Sequence, residues 1–300
     1  MKAIKDNAMP ARTLSKKATI NFRSKTCASP VSSSQIRSFR KKVYDYYDNQ
    51  GRDLPWRKRV TPYRVLVSEI MLQQTQVDRV IEKYKEFLSA FPDVKTLAKA
   101  PLPKLLKIWS GMGYNRRALS LRKLAQVVVA EHKGRLTSDP DILVTLPGIG
   151  KYTAGAVAAF AFNKPVIFMD TNIRRVFIHE FFRDRQHIHD DELVPLVRLT
   201  LDTKNPRKWY NALMDYGAVL KKEHGNPNKR SVHYTRQSPF ENSNRQVRGR
   251  IIKALVAGAP LTEARIVTET GMAAGRVRKN LDQLAREGFI VKKEDRYLIE

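Results

Sequence analysis

The sequence is poor in cysteine, because its 300 residues contain one, Cys27. A single thiol excludes an intramolecular disulfide framework and any metal site built from several cysteines of this chain. Long apolar runs are missing as well, since no stretch approaches the ~18 consecutive apolar residues of a membrane-spanning helix. We therefore expect no membrane association and no metal ligands here.

Acidic residues are scarce relative to basic ones. The chain has 29 Asp and Glu against 56 Lys and Arg, which leaves a net charge of +27. Such a field attracts polyanions, and without an apolar span nucleic acid is the favoured partner. Hydrophobic residues make up 42% of the chain, enough to build a core. The length allows two domains of ordinary size.

Residue patterns divide the chain into four parts. Residues 1–34 carry seven Lys and Arg, one acid and no apolar periodicity, which predicts a disordered basic arm. This arm lacks the apolar region of a secretory signal, although an organelle transit peptide is an alternative. Apolar residues then recur at spacings of three and four over 35–222, which predicts helices nearly throughout. The polar, turn-rich residues 223–243 are a predicted linker, and 244–300 form a second unit.

The segment LPGIGKYTA, residues 146–154, places two glycines one residue apart between two predicted helices. Glycine permits positive φ and close approach of the backbone to a partner. The first amides of the new helix can then point at a phosphate, which would anchor DNA without reading its sequence. An ordinary turn between two helices is the alternative. The predicted DNA-binding residues here are Leu146, Gly148, Gly150, Lys151, Tyr152 and Thr153.

Asp170 follows the hairpin at an offset of about twenty residues, where a short apolar run becomes a helix. This position suits a helix N-cap, which is the purely structural explanation. Hairpin and Asp170 together resemble the helix-hairpin-helix DNA glycosylase superfamily. Four more stretches resemble its adenine-specific MutY-type branch, namely LPWR at 54–57, VSEIMLQQTQV at 67–77, GMGYNRRA at 111–118 and ALMDYGA at 212–218.

The resemblance, which spans about residues 52–218, implies an all-α core of two subdomains around a DNA-binding cleft. It also implies a DNA glycosylase of base excision repair that extrudes a mispaired adenine, opposite G or 8-oxoguanine, and hydrolyses its N-glycosidic bond. The expected partner is double-stranded DNA with a mismatch or damaged base. We expect the enzyme to act as a monomer.

The resemblance assigns the chemistry to two carboxylates. Glu69 would be a general acid whose pKa is raised in an enclosed pocket, so that it protonates the departing adenine. Asp170 would stabilise the positive charge that develops on the sugar, and Asn172 would steady the pocket or the water. The spacing of Glu69, Gln73 and Gln76 predicts that they share one face of a helix.

Two other stretches would touch the DNA. Gln73 and Gln74 are predicted to fill the gap that the extruded base leaves. Tyr114 would lie near the flipped nucleotide, with a helix-packing role as the alternative. Position 152 decides strand scission, because bifunctional relatives carry there a lysine that forms a Schiff base. Tyr152 cannot do so, and Lys151 should face elsewhere, since one residue turns a helix by ~100°.

The chain departs from the family where four cysteines normally bind a [4Fe–4S] cluster. Residues 219–230 contain no cysteine, so we expect no cluster and no other cofactor. The basic residues Lys221, Lys222, Lys229 and Arg230 are predicted to take over the DNA-facing role of that loop.

A second departure is the C-terminal part. In place of the family's domain that reads oxidised guanine, residues 244–300 predict three helices and a short hairpin, a winged helix-turn-helix. Its third helix carries Arg276, Arg278 and Lys279, which suit a DNA groove. A protein-docking role for this unit is the alternative.

Two other functions stay open at this stage. Within the class, a thymine or uracil glycosylase acting at mismatches with G is the alternative, because relatives with Tyr at position 152 do that. Outside the class, the alternative is a non-catalytic DNA-binding regulator, although binding alone needs neither Glu69 nor Asp170 beside a polyanion. The expected location is cytoplasmic, with the nucleoid, or nuclear or organellar in a eukaryote.

Overall fold

The structure is a computed structural model that describes residues 31–300. Most of the predicted basic arm, residues 1–30, lies outside the described residues. The remainder differs from the prediction, because residues 33 and 34 already belong to the first helix. Ser32 caps this helix by accepting a hydrogen bond from the backbone N–H of Gln35, whose side chain accepts one from Ser32 in return.

The core is helical, as predicted. Between residues 31 and 243 the only strand-like pairing is an isolated bridge between Ile188 and Ser231. The core helices are α1 Ser33–Gln50, α2 Pro55–Lys58, α3 Pro62–Leu72, α4 Val77–Ala90, α5 Val94–Ala98, α6 Leu102–Trp109, α7 Arg116–Glu131, α8 Pro140–Leu143, α9 Lys151–Phe162, α10 Thr171–Phe181, α11 Asp190–Thr200 and α12 Pro206–Glu223. Within residues 31–300 no helix has both the length and the apolar character needed to cross a bilayer.

The core helices form two lobes. Helices α3 to α7 pack on one another in the first lobe, and α1 with α10 to α12 form the second. Helix α9 contacts α3, α8 and α12, so it joins the lobes. Gly155 of α9 permits close packing on the segment before α10, because a Cβ there would lie 2.7 Å from the Cβ of Phe168. The predicted two-subdomain, all-α core is confirmed.

Residues 244–300 form the predicted winged helix. Its elements are α13 Asn244–Gly258, β1 Leu261–Thr262, α14 Glu263–Thr270, α15 Ala274–Arg286, β2 Val291–Lys293 and β3 Arg296–Leu298. The three strands make an antiparallel sheet in the order β1-β3-β2. Strand β1 was not predicted, because its two residues are too short to show alternation. Thr262 ends this strand and also caps α14.

The winged helix is docked on the core. Glu287, at the end of α15, forms ion pairs with Arg116 of α7 and with Arg248 of α13. These hydrogen bonds, first that from Arg116, lower the pKa of Glu287 to about 2 despite its partial burial. The ion pair with Arg116 therefore joins the unit to the first lobe, and the one with Arg248 joins α13 to the end of α15.

The segment 223–243, predicted as a linker, is attached to the core along its first half. A 3-10 helix spans Pro227–Arg230 and packs on α10. Arg230 donates to the backbone carbonyls of Ile178, Phe182 and Arg183 at the end of α10. The prediction that Arg230 faces DNA is therefore wrong, because its guanidinium caps a helix.

Candidate active site

A cleft of 1090 Å³ lies between the two lobes. It brings together six of the predicted site residues from three separate parts of the chain. These are Glu69, Gln73, Gln74, Tyr152, Asp170 and Asn172. The cleft is therefore the candidate active site.

Glu69 lies on α3 and is 7% exposed. Burial raises its pKa to about 7, against the opposing hydrogen bond from Tyr152, and the negative charge of Asp170 raises it further. The helix buries this carboxyl because α3 packs against both α4 and α9, and its residues from Val65 to Met71 are all buried. Glu69 can therefore hold a proton near neutral pH.

Tyr152, in the first turn of α9, donates a hydrogen bond from its Oη to Oε2 of Glu69 at 2.9 Å. Burial raises its own pKa well above the usual value, and nearby Glu69 and Asp170 add to this effect. The phenol therefore stays protonated and fixes the orientation of the carboxyl. Lys151 is exposed beside it and does not line the cleft.

Asp170 is the N-cap of α10 and accepts a hydrogen bond from the backbone N–H of Ile173 at 2.7 Å. The amide Nδ2 of Asn172 donates to its other oxygen at 3.2 Å. Burial raises the pKa of Asp170, while these hydrogen bonds oppose the shift because they stabilise the ionised form. Capping and catalysis are therefore compatible roles of this side chain.

Asn172 is itself held by Arg175, whose Nη1 donates to Oδ1 of Asn172 at 2.8 Å and to the carbonyl of Gly217. Gly217 has to be a glycine, because a Cβ would stand 2.6 Å from the carbonyl oxygen of Asn172. The amide of Asn172 therefore has one fixed orientation, with its N–H₂ group toward Asp170.

Two further cleft residues, Arg52 and Arg57, and their buried partner Asp215 were not singled out from the sequence. Asp215 of α12 is buried and paired with Arg52 and with Arg57, whose two terminal nitrogens donate at 2.7 and 2.8 Å. Burial alone would raise the pKa of Asp215, but the two arginines outweigh it and hold the pKa low. Arg57 and Asp215 lie within quoted motifs, yet no spacing rule joins residues so far apart in the chain.

The prediction that Glu69, Gln73 and Gln76 share one helix is wrong. Helix α3 ends at Leu72, Gln74 has a left-handed backbone with φ 56°, and Gln76 is the N-cap of α4. The break follows from Arg117, whose guanidinium donates to the carbonyls of Ile70, Met71, Gln73, Met112 and Gly113. The turn still lines the cleft, with Gln74 exposed.

The hairpin lies beside the cleft. Gly148 adopts φ 80°, and a Cβ there would lie 2.6 Å from the Cβ of Ser120. Gly150 precedes α9 as its N-cap and faces open space. Leu146 and Thr153, expected at the DNA surface, are buried instead; Thr153 accepts a hydrogen bond from Gln73 at 3.2 Å.

Tyr114 does not line the cleft. Its Oη accepts hydrogen bonds from Gln237 and from Nη1 of Arg245, and its ring lies 5.5 Å from the guanidinium of Arg117 and 5.2 Å from that of Arg245. It therefore joins the first lobe to the C-terminal unit.

The loop after α12 does not fit an iron–sulfur cluster. Pro227 and Asn228 are buried there, and the amide of Asn228 donates to the carbonyl of Thr171 at 2.8 Å. Amides and a guanidinium stand where thiolates would be needed. Elsewhere in residues 31–300 no group of three or more His, Cys, Asp or Glu could hold a metal ion.

The predicted DNA-facing residues of α15 differ in their surroundings. Arg276 is half-buried and donates to the carbonyl of Asn242 at 2.7 Å. Arg278 is exposed and pairs with Glu263. Lys279 is exposed, with no ion pair to another described residue. Of these three residues, Arg278 and Lys279 are therefore the ones that are accessible to a ligand.

Comparison with known proteins shows which proteins the core is similar to. Residues 67–194 match the family described as HhH-GPD superfamily base excision DNA repair protein. The adenine DNA glycosylase of Buchnera aphidicola subsp. Baizongia pistaciae (strain Bp) is 37% identical over 187 residues, 61% of this chain and 52% of that protein. The adenine DNA glycosylase of Mycobacterium tuberculosis (strain CDC 1551 / Oshkosh) is 44% identical over 132 residues, 44% of this chain and 43% of that protein.

Among solved structures, a thermostable thymine-DNA glycosylase is 26% identical, with a TM-score of 0.57 over 66% of this chain and 92% of that one. The chain spans about half the length, or less, of the adenine DNA glycosylases that it matches. The resemblance drawn from the sequence is confirmed. Residues 67–194 are therefore the part of this chain that is similar to the HhH-GPD superfamily of base excision DNA repair proteins.

Proposed function

We propose that this protein is a monofunctional DNA glycosylase that excises adenine mispaired with G or 8-oxoguanine. The observation that carries the proposal is the pair of carboxylates in one cleft, Glu69 with its pKa raised to about 7 and Asp170 with three hydrogen-bond donors. The adenine DNA glycosylases that match the core support adenine as the base. Duplex DNA is the proposed partner, in keeping with the net charge of +27.

The two carboxylates would have different chemical roles because their surroundings differ. Glu69 receives one hydrogen bond, from Tyr152, in a buried position, so it keeps its proton more readily. Asp170 receives bonds from Ile173 and Asn172, which favour its ionised form. At neutral pH we therefore expect Glu69 to donate a proton while Asp170 remains a carboxylate.

Base release then follows. Glu69 transfers its proton to a ring nitrogen of the extruded adenine, the C1′–N9 bond breaks, and its electron pair leaves with the adenine. The sugar becomes an oxocarbenium-like cation, which the carboxylate of Asp170 stabilises. Water forms the new bond to C1′, and its released proton returns to Glu69. Arg57, whose guanidinium is held by Asp215, forms part of the cleft wall.

The reaction ends at the abasic site in this proposal. Strand scission through a Schiff base needs an amine in the cleft, and Tyr152 supplies a phenol that is bonded to Glu69. Lys151, the adjacent amine, is exposed and outside the cleft.

One assay tests the proposal. Duplexes carrying A, T or U opposite G, C or 8-oxoguanine are incubated with the full chain, then analysed with and without alkali. We expect adenine release opposite G and 8-oxoguanine, strand breaks only after alkali, and no adduct trapped by borohydride. A trapped adduct that disappears in Lys151→Ala would overturn the monofunctional reaction.

A second candidate is excision of thymine or uracil opposite G. It is favoured by the likeness to the thymine-DNA glycosylase, which covers 92% of that chain. Pyrimidine excision depends less on ring protonation, so it would leave the raised pKa of Glu69 without a use. Release of T or U in the same assay, with adenine retained, would establish this candidate instead.

A further inference from the structure

The second half of the segment after the core crosses the mouth of the cleft. We name residues 231–243 the connector. Four of its consecutive side chains, Tyr234 to Gln237, line the cleft that also contains Glu69 and Asp170. All four residues are exposed. The connector therefore adds a polar edge to a site that the core would otherwise build alone.

Both ends of this edge are fixed. On the core side, Ser231 pairs with Ile188 through a bridge. On the other side, Gln237 donates to the phenol of Tyr114, and Arg245 donates to the same phenol at 2.8 Å and to the carbonyl of Ser238 at 2.6 Å. Arg236 lies between these anchors, so its backbone has a defined place at the cleft.

Arg236 differs from the other arginines of the cleft. Arg57 is bound to Asp215, Arg174 to Asp190, and Arg207 donates to backbone carbonyls. Arg236 makes no hydrogen bond or ion pair with any other residue among 31–300. Its donors are therefore available to a ligand.

Other exposed residues of the same cleft indicate what that ligand is. Gln74 and Gln76, both exposed, line the same cleft, and Gln237 follows Arg236 directly. Amide side chains offer donors and acceptors together, which suits a base edge, whereas a phosphate only accepts. When one base enters the cleft, its former partner stays in the duplex and faces the mouth.

Building on the proposed function, we propose that Arg236 is a specificity-determining residue that contacts the guanine-type base opposite the extruded adenine. A guanidinium donates two parallel hydrogen bonds to O6 and N7 of guanine. In 8-oxoguanine O6 remains an acceptor. The connector thus supplies opposite-base recognition from a segment that the sequence presents only as a linker.

The test is equilibrium binding of the full chain to duplexes that cannot react, made with adenosine whose 2′-fluorine disfavours the oxocarbenium ion. This adenosine is placed opposite guanine, 8-oxoguanine, 2-aminopurine, which lacks O6, or an abasic site. Arg236→Ala is compared with Lys229→Ala, an exposed cation that does not line the cleft. We expect the wild-type preference for guanine over 2-aminopurine to fall about tenfold in Arg236→Ala and to persist in Lys229→Ala.

An equal loss of affinity for all four duplexes in Arg236→Ala would make it a phosphate contact and overturn the proposal. Unchanged affinities, or a wild-type chain without preference for guanine, would overturn it as well. The proposed activity is judged separately, by adenine release from unmodified duplexes. If adenine release fails, the binding preference for guanine can still be measured. A failure of the proposed activity is therefore distinguishable from a failure of the proposed role of Arg236.

Discussion

At the level of single residues, we expect the Glu69 carboxyl to make the rate of the proposed base release depend on pH. Its pKa of about 7 means that the protonated, donating form declines above neutrality. We expect the single-turnover rate to fall about tenfold per pH unit above pH 7. Glu69→Gln cannot donate a proton, so its rate should be lower by at least ~10²-fold and without this pH dependence.

Stability provides the control for Glu69→Gln. The pKa of Glu69 is raised from 4.5 to about 7 in the folded state, so folding stability declines as pH rises from 4.5 through 7. A shift of this size corresponds to about 3 kcal/mol at pH 8, an order-of-magnitude value. Urea unfolding should therefore show Glu69→Gln to be more stable than wild type at pH 8 and similar at pH 4.5. A slower and less stable variant at pH 8 would instead indicate a disrupted fold.

Asp170 offers a way to separate capping from catalysis. Asparagine is as good an N-cap as aspartate, so Asp170→Asn should keep the hydrogen bond to Ile173 and the stability of α10. Base release should be abolished, while mismatch affinity is largely retained, because the charge is lost with little change in volume. Asp170→Ala should lose the cap too, at a cost of about 1 kcal/mol. Near-normal single-turnover rates in Asp170→Asn would contradict the assignment.

At the level of elements, the two hairpin glycines should fail in different ways. Gly148→Ala places a Cβ 2.6 Å from Ser120 at φ 80°, so it should destabilise the fold by more than the ~1–2 kcal/mol of a left-handed alanine. Gly150→Ala faces open space with φ −94°, so the fold should tolerate it. If the backbone approaches a phosphate there, DNA affinity should fall in Gly150→Ala while its unfolding midpoint stays unchanged. Fluorescence anisotropy and thermal unfolding of both variants give the comparison.

Elements also show where sequence reasoning reached its limit. The helical periodicity and the turn residues predicted the core helices and the winged helix, because these signals are local. The end of α3 is not local, since it depends on Arg117, which lies 44 residues beyond Gln73 and captures its carbonyl. The docked turn at Pro227–Arg230 depends in the same way on carbonyls of α10.

The candidate site shows the same difference between local and non-local signals. Glu69, Tyr152 and Asp170 were identified because each lies in a stretch that resembles the glycosylase family. The pairing of Arg57 with Asp215 spans 158 residues, and nothing in the sequence marks it. The polar, turn-rich composition of the connector predicts a linker. Composition indicates that a segment is exposed to solvent, but it carries no information about which cleft the segment lines.

At the scale of the whole molecule, the ion pair between Glu287 and Arg116 holds the winged helix against the core. The pKa of Glu287 is lowered from 4.5 to about 2, first by the hydrogen bond from Arg116. The stabilisation is therefore fully present above pH 4.5 and is lost as pH falls toward 2. Glu287→Gln should lower the thermal midpoint at pH 7, and this difference should shrink between pH 5 and pH 3. Glu263→Gln, which removes the partner of the exposed Arg278, should have little effect at either pH.

We also expect the winged helix to contribute phosphate contacts to the affinity for DNA. Arg278 and Lys279 are exposed on α15, whereas Arg276 is held by the connector. If both exposed cations contact phosphates, the slope of log K against log salt should become shallower by roughly 1.8 in Arg278→Ala/Lys279→Ala, at ~0.9 per contact. The change should be the same on matched and mismatched duplexes, because phosphate contacts carry no sequence information.

A matched pair of substitutions separates local contact from net charge. Lys41→Ala/Lys58→Ala also removes two positive charges. They belong to exposed lysines of α1 and α2 that pair with Asp45 and Asp53. Its salt slope should equal that of the wild type. Single-turnover base release at saturating protein should persist in both double variants, because Glu69 and Asp170 lie in the core cleft. An unchanged slope in Arg278→Ala/Lys279→Ala would instead make the winged helix a docking unit for another protein, and the hairpin and core would then account for all of the salt-dependent affinity.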